Sequence, residues 1–491
     1  MTAGRVANVA DTLALHARQR PTHVAVVHGD AHLDYRAFDR AVSQRAAALL
    51  GLGVAAGDVV GLALDDGIEH LLMLFAVARA GAVILPIDAR WQAFEKQRVV
   101  AHFAPVATLV EPGAPIDGTR CIEAGADWRA RVEAATPPAA FPDGGRGLVM
   151  SLSSGTTGRP KGPLLTHAQL IARFHVQWAD LGFGSRARYL NATPIYFGGG
   201  RSFCMSTIHA GGTVVLFPPP YATEALAAEV ARSGATVLFL VPTLLRRLLE
   251  HDAATLAPLR GLQTLICSGA ALAPHERTRI RTEICPNFVE YYSSTEGGGV
   301  TALTPEDQAR RGDSVGRAVY GVEVSIVDGT DRPVPPGTIG AIRYRGPGVA
   351  DGFHGDPDAS REAFRDGWFH PGDLGELDDE GYLFLRGRSK DMIIRGGVNI
   401  HPQEIEALLL GHPSVAEAAV VGWPSREFNE EVAAFVVPRG ELDEAALVAL
   451  CRERLAPYKV PRRVFLVDDL PRTSVGKVQK AALVERLEPL P

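Results

Sequence analysis

Only six of the 50 basic residues in this 491-residue chain are lysines; the rest are arginines. That scarcity makes lysine placement informative, because a compact, mobile ammonium differs physically from a planar guanidinium fork. Lys161 nearly closes the run SLSSGTTGRPKG at residues 151–162, which continues the apolar segment beginning at Leu148. Its glycines let backbone N–H groups approach phosphate oxygens, its hydroxyls add donors and its lysine adds charge. The run is not a Walker A loop, in which Gly-Lys is followed by Ser or Thr. Gly162 follows Lys161, and Val475-Gly476-Lys477-Val478 also lacks the hydroxyl residue. A phosphate loop of another class is implied.

The elements that must position such a loop read as α/β. Residues 8–50 alternate helix, two short strands and helix. VVGLAL, a helix over 67–80 and AVILPI then form a strand–helix–strand unit, and ATLVEPG follows another helix. The segments RYLNATPIY, TVVLF, TVLFLVP and TLICSG continue the alternation, which predicts a largely parallel sheet. From about residue 315, EVSIVD, GAIRYRG and YLFLRGR predict a β-rich subdomain of short strands. After Arg388 comes a compact α+β segment, so the predicted division is a large domain over 1–387 and a small one over 388–491.

Composition narrows the function classes. Hydrophobic residues make up 46% and charged residues 22%, as in a soluble globular chain with a sizeable core. A net charge of −6 argues against nucleic acid as partner. Cys121, Cys204, Cys267, Cys285 and Cys451 are widely spaced and contain no CxxC pair, which argues against a disulfide framework or zinc site. The N-terminus lacks a signal-peptide h-region, and the apolar stretch 71–85 is interrupted by Arg79 and Gly81. The expectation is a cytoplasmic enzyme without an integral membrane segment, monomer or homodimer.

SSGTTGRPKG resembles the phosphate loop of the adenylate-forming superfamily, which contains acyl-CoA synthetases, peptide-synthetase adenylation domains and luciferases. Four further motifs follow in that family's order: CSGAALAP at 267–274, YYSSTEGG at 291–298, the segment 368–406 that begins WFHPGDL, and LPRTSVGKVQK at 470–480. The resemblance implies ATP, Mg²⁺ and coenzyme A as cofactor and co-substrates. It implies that Ser153, Thr156, Thr157 and Lys161 hold the β- and γ-phosphates, with Ser154, Gly155 and Gly158 in the same loop. Thr295 would contact the α-phosphate and Glu296 would ligand Mg²⁺, a hard cation suited to carboxylate and phosphate oxygens. Adenine would lie between Gly269, Ala270 and Ala271 on one side and Tyr292 on the other, with Tyr291 adjacent and Glu290 near the amino group. Asp373 would accept the ribose hydroxyls, supported by Arg388. Lys477 would bridge the carboxylate oxygen and the α-phosphate once the small domain closes, with Lys390 at the hinge. Gly396 and Gly397 would line the coenzyme A channel.

The acid pocket falls on Phe197, Gly198, Gly199, Phe239, Ser293 and Gly298. Here the chain departs from a common pattern. Phe197 stands where many acyl-CoA synthetases have His after Pro-x-x, and Ser293 replaces a frequent Gly. Residues 187–217 contain no Asp or Glu to anchor an ammonium group, which favours an aromatic or medium-chain apolar acid over an amino acid. Arg201 could read a second carboxylate, against the alternatives of a salt bridge or a solvated side chain. No carrier domain follows the last motif before Pro491, so ligation to free coenzyme A is expected. The alternative is a stand-alone adenylation enzyme loading a separate carrier protein.

Overall fold

The computed structural model describes residues 6–152, 162–270, 272–395, 398–472, 478–488 and 490. Among the described residues the chain forms four sheets. In the largest, the strands Phe288–Ser294, Thr264–Cys267, Val237–Leu240, Arg188–Asn191, Thr213–Leu216 and Val24–His28 lie side by side in that order, all parallel. Antiparallel strands close both edges: Gly298–Leu303 and Arg317–Ala318 at one, Ala31–Asp34 at the other. A second sheet runs Cys121–Glu123, Ala107–Val110, Val59–Ala63, Val83–Pro86, Gly147–Met150 and Leu164–Thr166. Its members are parallel except the last.

The continuous apolar strands VLFL and TLIC are buried throughout, as parallel strands covered on both faces must be. The helix Ile68–Arg79 is apolar on every side and buried from His70 to Arg79, the pattern of a core helix rather than a surface one. Its residues share one core cluster with Val26 of the first sheet and Val60 and Leu62 of the second. The helix therefore joins the two sheets. Among the described residues no helix is long and apolar enough to cross a membrane.

The β-rich segment is an antiparallel sheet of Phe364–Arg365, Trp368–Phe369, Gly340–Arg345, Asp373–Leu377 and Leu383–Arg388, with Glu323–Val327 on Gly340–Arg345. The last sheet is built on the long hairpin Val415–Ser425 and Asn429–Pro438. The helices Pro402–Leu410 and Glu444–Arg454 cover it through Ile405, Leu409 and Leu447. Between these sheets, Ser389–Asp391 forms a short 3₁₀ turn in which Lys390 is exposed.

Candidate active site

Parallel strands deliver their following loops to one edge, and ligands of such sheets bind outside the carboxyl ends. In the large sheet that edge carries residues 192–197, Phe239, residues 268–270 and the turn 295–297. Thr295, Phe239 and the residues after Asn191 and Cys267 therefore share one edge of this sheet.

Thr295 and Glu296 occupy the tip of the hairpin formed by Phe288–Ser294 and Gly298–Leu303. Ser294 Oγ accepts from the Gly297 N–H at 2.8 Å and lies 2.6 Å from the Tyr344 hydroxyl. Gly298 completes the turn at φ 72°, a left-handed conformation that glycine adopts without strain. The Glu296 carbonyl accepts from the Ala350 N–H at 2.9 Å. The tip is thus tied by its backbone while Thr295 and Glu296 remain half-buried.

Tyr292 and Asp373 meet across two sheets. The Tyr292 hydroxyl donates to Asp373 Oδ2 at 2.5 Å, and Arg388 Nε lies 3.0 Å from Oδ1. Burial, followed by the neighbouring Asp373 charge, pushes the Tyr292 phenol well above its ordinary range, so it stays a donor. The carboxylate is held at both oxygens and keeps lone pairs for further hydroxyl donors. Ser268 and Ser293 lie on the adjacent strand ends with their hydroxyls 3.1 Å apart.

The expected acid pocket has an aromatic wall. A methyl added to Gly199 would lie 3.1 Å from the Phe239 ring and 3.2 Å from the Phe197 ring, so the two rings flank this glycine. Phe239 rests on Phe203 with centroids 5.0 Å apart, and Phe203 stacks on Phe183 at 5.0 Å. Gly198 is exposed beside them.

Three of the expected residues make contacts that the sequence did not indicate. Glu290 is buried and its carboxylate is taken by Arg277, which also donates to the Gly312 carbonyl. Burial pushes Glu290 up while Arg277 pulls it down, so its primary contact is an internal ion pair. Strand alternation sends Tyr291 to the opposite face from Tyr292. Its side chain is buried, and its hydroxyl fills the space that a side chain on Gly299 would need. Arg201 is neither solvated nor salt-bridged among the described residues. It is 4% exposed and donates to the Tyr196 carbonyl at 2.6 Å and to Ser151 Oγ at 3.2 Å. Burial, then repulsion from Arg173, pushes its guanidinium down to about 10, so it stays charged at neutral pH.

Sequence reasoning missed Arg173. It lies in the helix His167–Asp180, which Thr166 and Gln169 cap reciprocally. Leu170, Arg173, Phe174 and Gln177 are all buried, so Arg173 sits on the inward stripe at spacing i, i+3, i+4, i+7. A cation on that stripe was the available signal.

The residues Ser153, Ser154, Gly155, Thr156, Thr157, Gly158 and Lys161 lie outside the described residues, as do Ala271, Gly396, Gly397 and Lys477. Gly269 and Ala270 are exposed beside Ser268.

Comparison with known proteins identifies the architecture. The AMP-binding enzyme family matches residues 13–354, and the AMP-binding enzyme C-terminal domain matches residues 404–477. The chain belongs to the AMP-binding enzyme family. It is 35% identical over 481 residues to a feruloyl-CoA synthase of Amycolatopsis, covering 96% of this chain and 97% of that one. It is 35% identical to an indoleacetate–CoA ligase of Aromatoleum aromaticum, covering 95% of each. The crystal structure of ATP-bound MatB from Rhodopseudomonas palustris superposes with a TM-score of 0.89 at 30% identity, covering 98% of this chain and 99% of that one. The chain is therefore an AMP-forming acid–thiol ligase of the acyl-CoA synthetase type. Its fold is the large α/β region and small C-terminal region of these relatives.

Proposed function

We propose that this enzyme joins an aromatic or medium-chain apolar carboxylic acid to coenzyme A through an acyl-adenylate, with release of pyrophosphate. The observation that carries the reading is that the large sheet brings the Thr295–Glu296 tip and the Phe197–Phe239 wall to one edge, while Tyr292 of the same sheet meets Asp373 and Arg388 of the β-rich sheet. The first supplies groups for phosphate and metal, the second for ribose and the third for an apolar acyl group.

The chemical obstacle is that a carboxylate must attack the α-phosphorus of ATP although both are anionic. Thr295 is assigned to the α-phosphate, Asp373 to the ribose hydroxyls and Tyr292 to one face of adenine. Glu296 fits Mg²⁺, because its backbone is pinned and its carboxylate lies at a half-exposed turn. Mg²⁺ takes one or two carboxylates and completes its shell with phosphates and water, and when bound it neutralises developing phosphate charge. Lys477 is assigned to the attacking carboxylate and the α-phosphate, which places it on a small domain that begins near residue 388 and turns about Lys390. Gly396 and Gly397 are assigned to the thiol channel used afterwards. The two relatives named for aromatic acids, ferulate and indoleacetate, support the acid class.

The test is product analysis. The purified enzyme is incubated with MgATP, coenzyme A and a panel of acids, and the products are read by mass spectrometry. Formation of acyl-CoA and AMP from an aromatic or medium-chain acid supports the proposal. Acyl-AMP that turns over only when a carrier protein is added would move the acceptor to that protein. Release of ADP instead of AMP would overturn the reaction itself.

A further inference from the structure

Four arginines among the described residues are less than 9% exposed: Arg79, Arg173, Arg201 and Arg277. Arg79 is paired with Asp39 at 2.7 Å and Arg277 with Glu290. Arg201 and Arg173 have no such carboxylate among the described residues, and the donors of Arg173 go only to backbone carbonyls. Nε donates to Gly348 O at 2.8 Å, Nη1 to Thr295 O at 3.1 Å and Nη2 to Glu296 O at 2.6 Å. Among the described residues no carboxylate forms an ion pair with it. Burial pushes its guanidinium down to about 10, leaving it charged at neutral pH. Keeping a buried cation on neutral acceptors alone is costly.

The space around this side chain is shaped for it. A first side-chain carbon on Gly298 would lie 2.8 Å from Arg173 Nε, and one on Gly348 would lie 2.9 Å from its Cγ. Both contacts are closer than a packed interior tolerates. The stem therefore passes two glycines, one in the hairpin and one in the facing loop, before reaching three carbonyls. Two of those carbonyls belong to Thr295 and Glu296. The Glu296 carbonyl is doubly held, by Arg173 and by the Ala350 N–H at 2.9 Å.

We propose that Arg173 is a positioning residue for the metal–nucleotide site: it locks the Thr295–Glu296 backbone so that the hydroxyl and carboxylate meet Mg²⁺-ATP in one geometry. The inference rests on the function proposed above. Arg173 does not touch substrate; it acts through the peptide units that carry the two functional side chains. A planar fork suits adjacent carbonyls in a way that a single ammonium does not. Losing the partner that orients a metal ligand characteristically costs about 10–100-fold in metal affinity or activity.

The test compares wild type with Arg173→Lys and Arg173→Met, each alone and combined with Glu296→Gln. ATP binding is measured by calorimetry with Mg²⁺ and with a chelator, acid-dependent pyrophosphate exchange by kinetics, and folding by thermal melting. Arg173→Lys, which keeps the buried charge but concentrates its donors on one nitrogen, guards against a Met variant that fails to fold. The expected result is that Mg²⁺ strengthens ATP binding at least tenfold less in Arg173→Lys than in wild type, with chelator-state affinity and the acid KM unchanged. In the Glu296→Gln background, adding Arg173→Lys should change the Mg²⁺ increment in ATP affinity by less than twofold. Effects of the two substitutions that multiply, or an unchanged Mg²⁺ increment in a folded variant, would overturn the proposal. Wild type that shows neither a Mg²⁺ increment nor acid-dependent exchange would instead sink the underlying functional reading, and the inference with it.

Discussion

Replacing Asp373 by Asn separates binding from stability at the ribose site. In the free enzyme the carboxylate receives the Tyr292 hydroxyl at 2.5 Å and faces Arg388 at 3.0 Å. The Arg388 side chain is 48% exposed, and such an ion pair contributes about 0–1 kcal/mol. Asn keeps one oxygen to accept from Tyr292 but turns an amide donor toward another donor. The expected loss of folding stability is therefore about 1 kcal/mol. In the ATP complex the same carboxylate would accept ribose hydroxyls, and a hydrogen bond to a charged group contributes about 1.5–3 kcal/mol. Losing the charge should weaken ATP binding about 10- to 150-fold, since 1.4 kcal/mol is tenfold. Calorimetric titration with ATP and a denaturant melt on the same variant measure the two quantities. An unchanged ATP affinity in a folded variant would refute the ribose assignment, and collapse of the fold would refute the small structural role.

Gly199→Val should narrow the pocket between Phe197 and Phe239, where the first added carbon already meets both rings at 3.1–3.2 Å. With overpacking costing about 1–3 kcal/mol, kcat/KM for aromatic acids should fall by an order of magnitude or more while ATP affinity holds; an unchanged acid preference would remove this wall from the pocket. Glu290→Gln strands the buried Arg277, so it should cost about 3–5 kcal/mol in denaturant unfolding, partly recovered by adding Arg277→Met. Lost ATP affinity with normal stability would instead return Glu290 to the adenine site. Asp66 accepts from the Ile195 N–H at 2.7 Å, and burial raises its carboxyl from 3.8 to about 6. Its folded value exceeds the unfolded one, so the stability it contributes is present below pH 3.8 and lost as pH rises through 6. Asp66→Asn should therefore stabilise the protein by about 1–3 kcal/mol near pH 8, the gain shrinking toward pH 4; a pH-independent gain would contradict the cause.

The order of elements was legible because buried parallel strands and all-apolar helices leave continuous hydrophobic runs. VLFL, TLIC and the helix Ile68–Arg79 lie where their patterns place them. Strand order was not legible. Val24–His28 pairs with Thr213–Leu216 across about 190 residues, and nothing in a local run of Val and Leu names so distant a neighbour. Site motifs were readable where function constrains several adjacent residues, as at 291–298. Side-chain direction within a motif was harder. Tyr291 and Tyr292 are adjacent, yet strand alternation puts one in the core and the other on Asp373. Partners distant in sequence were the hardest. The Arg277 partner of Glu290 and the three carbonyls around Arg173 come from segments that no local pattern links to them.

Acid-dependent exchange of labelled pyrophosphate into ATP, in the absence of coenzyme A, tests adenylate formation most directly. The account predicts Mg²⁺-dependent exchange with an aromatic or medium-chain acid and none without acid. Folded enzyme that binds ATP but exchanges pyrophosphate with no acid in a broad panel would contradict it.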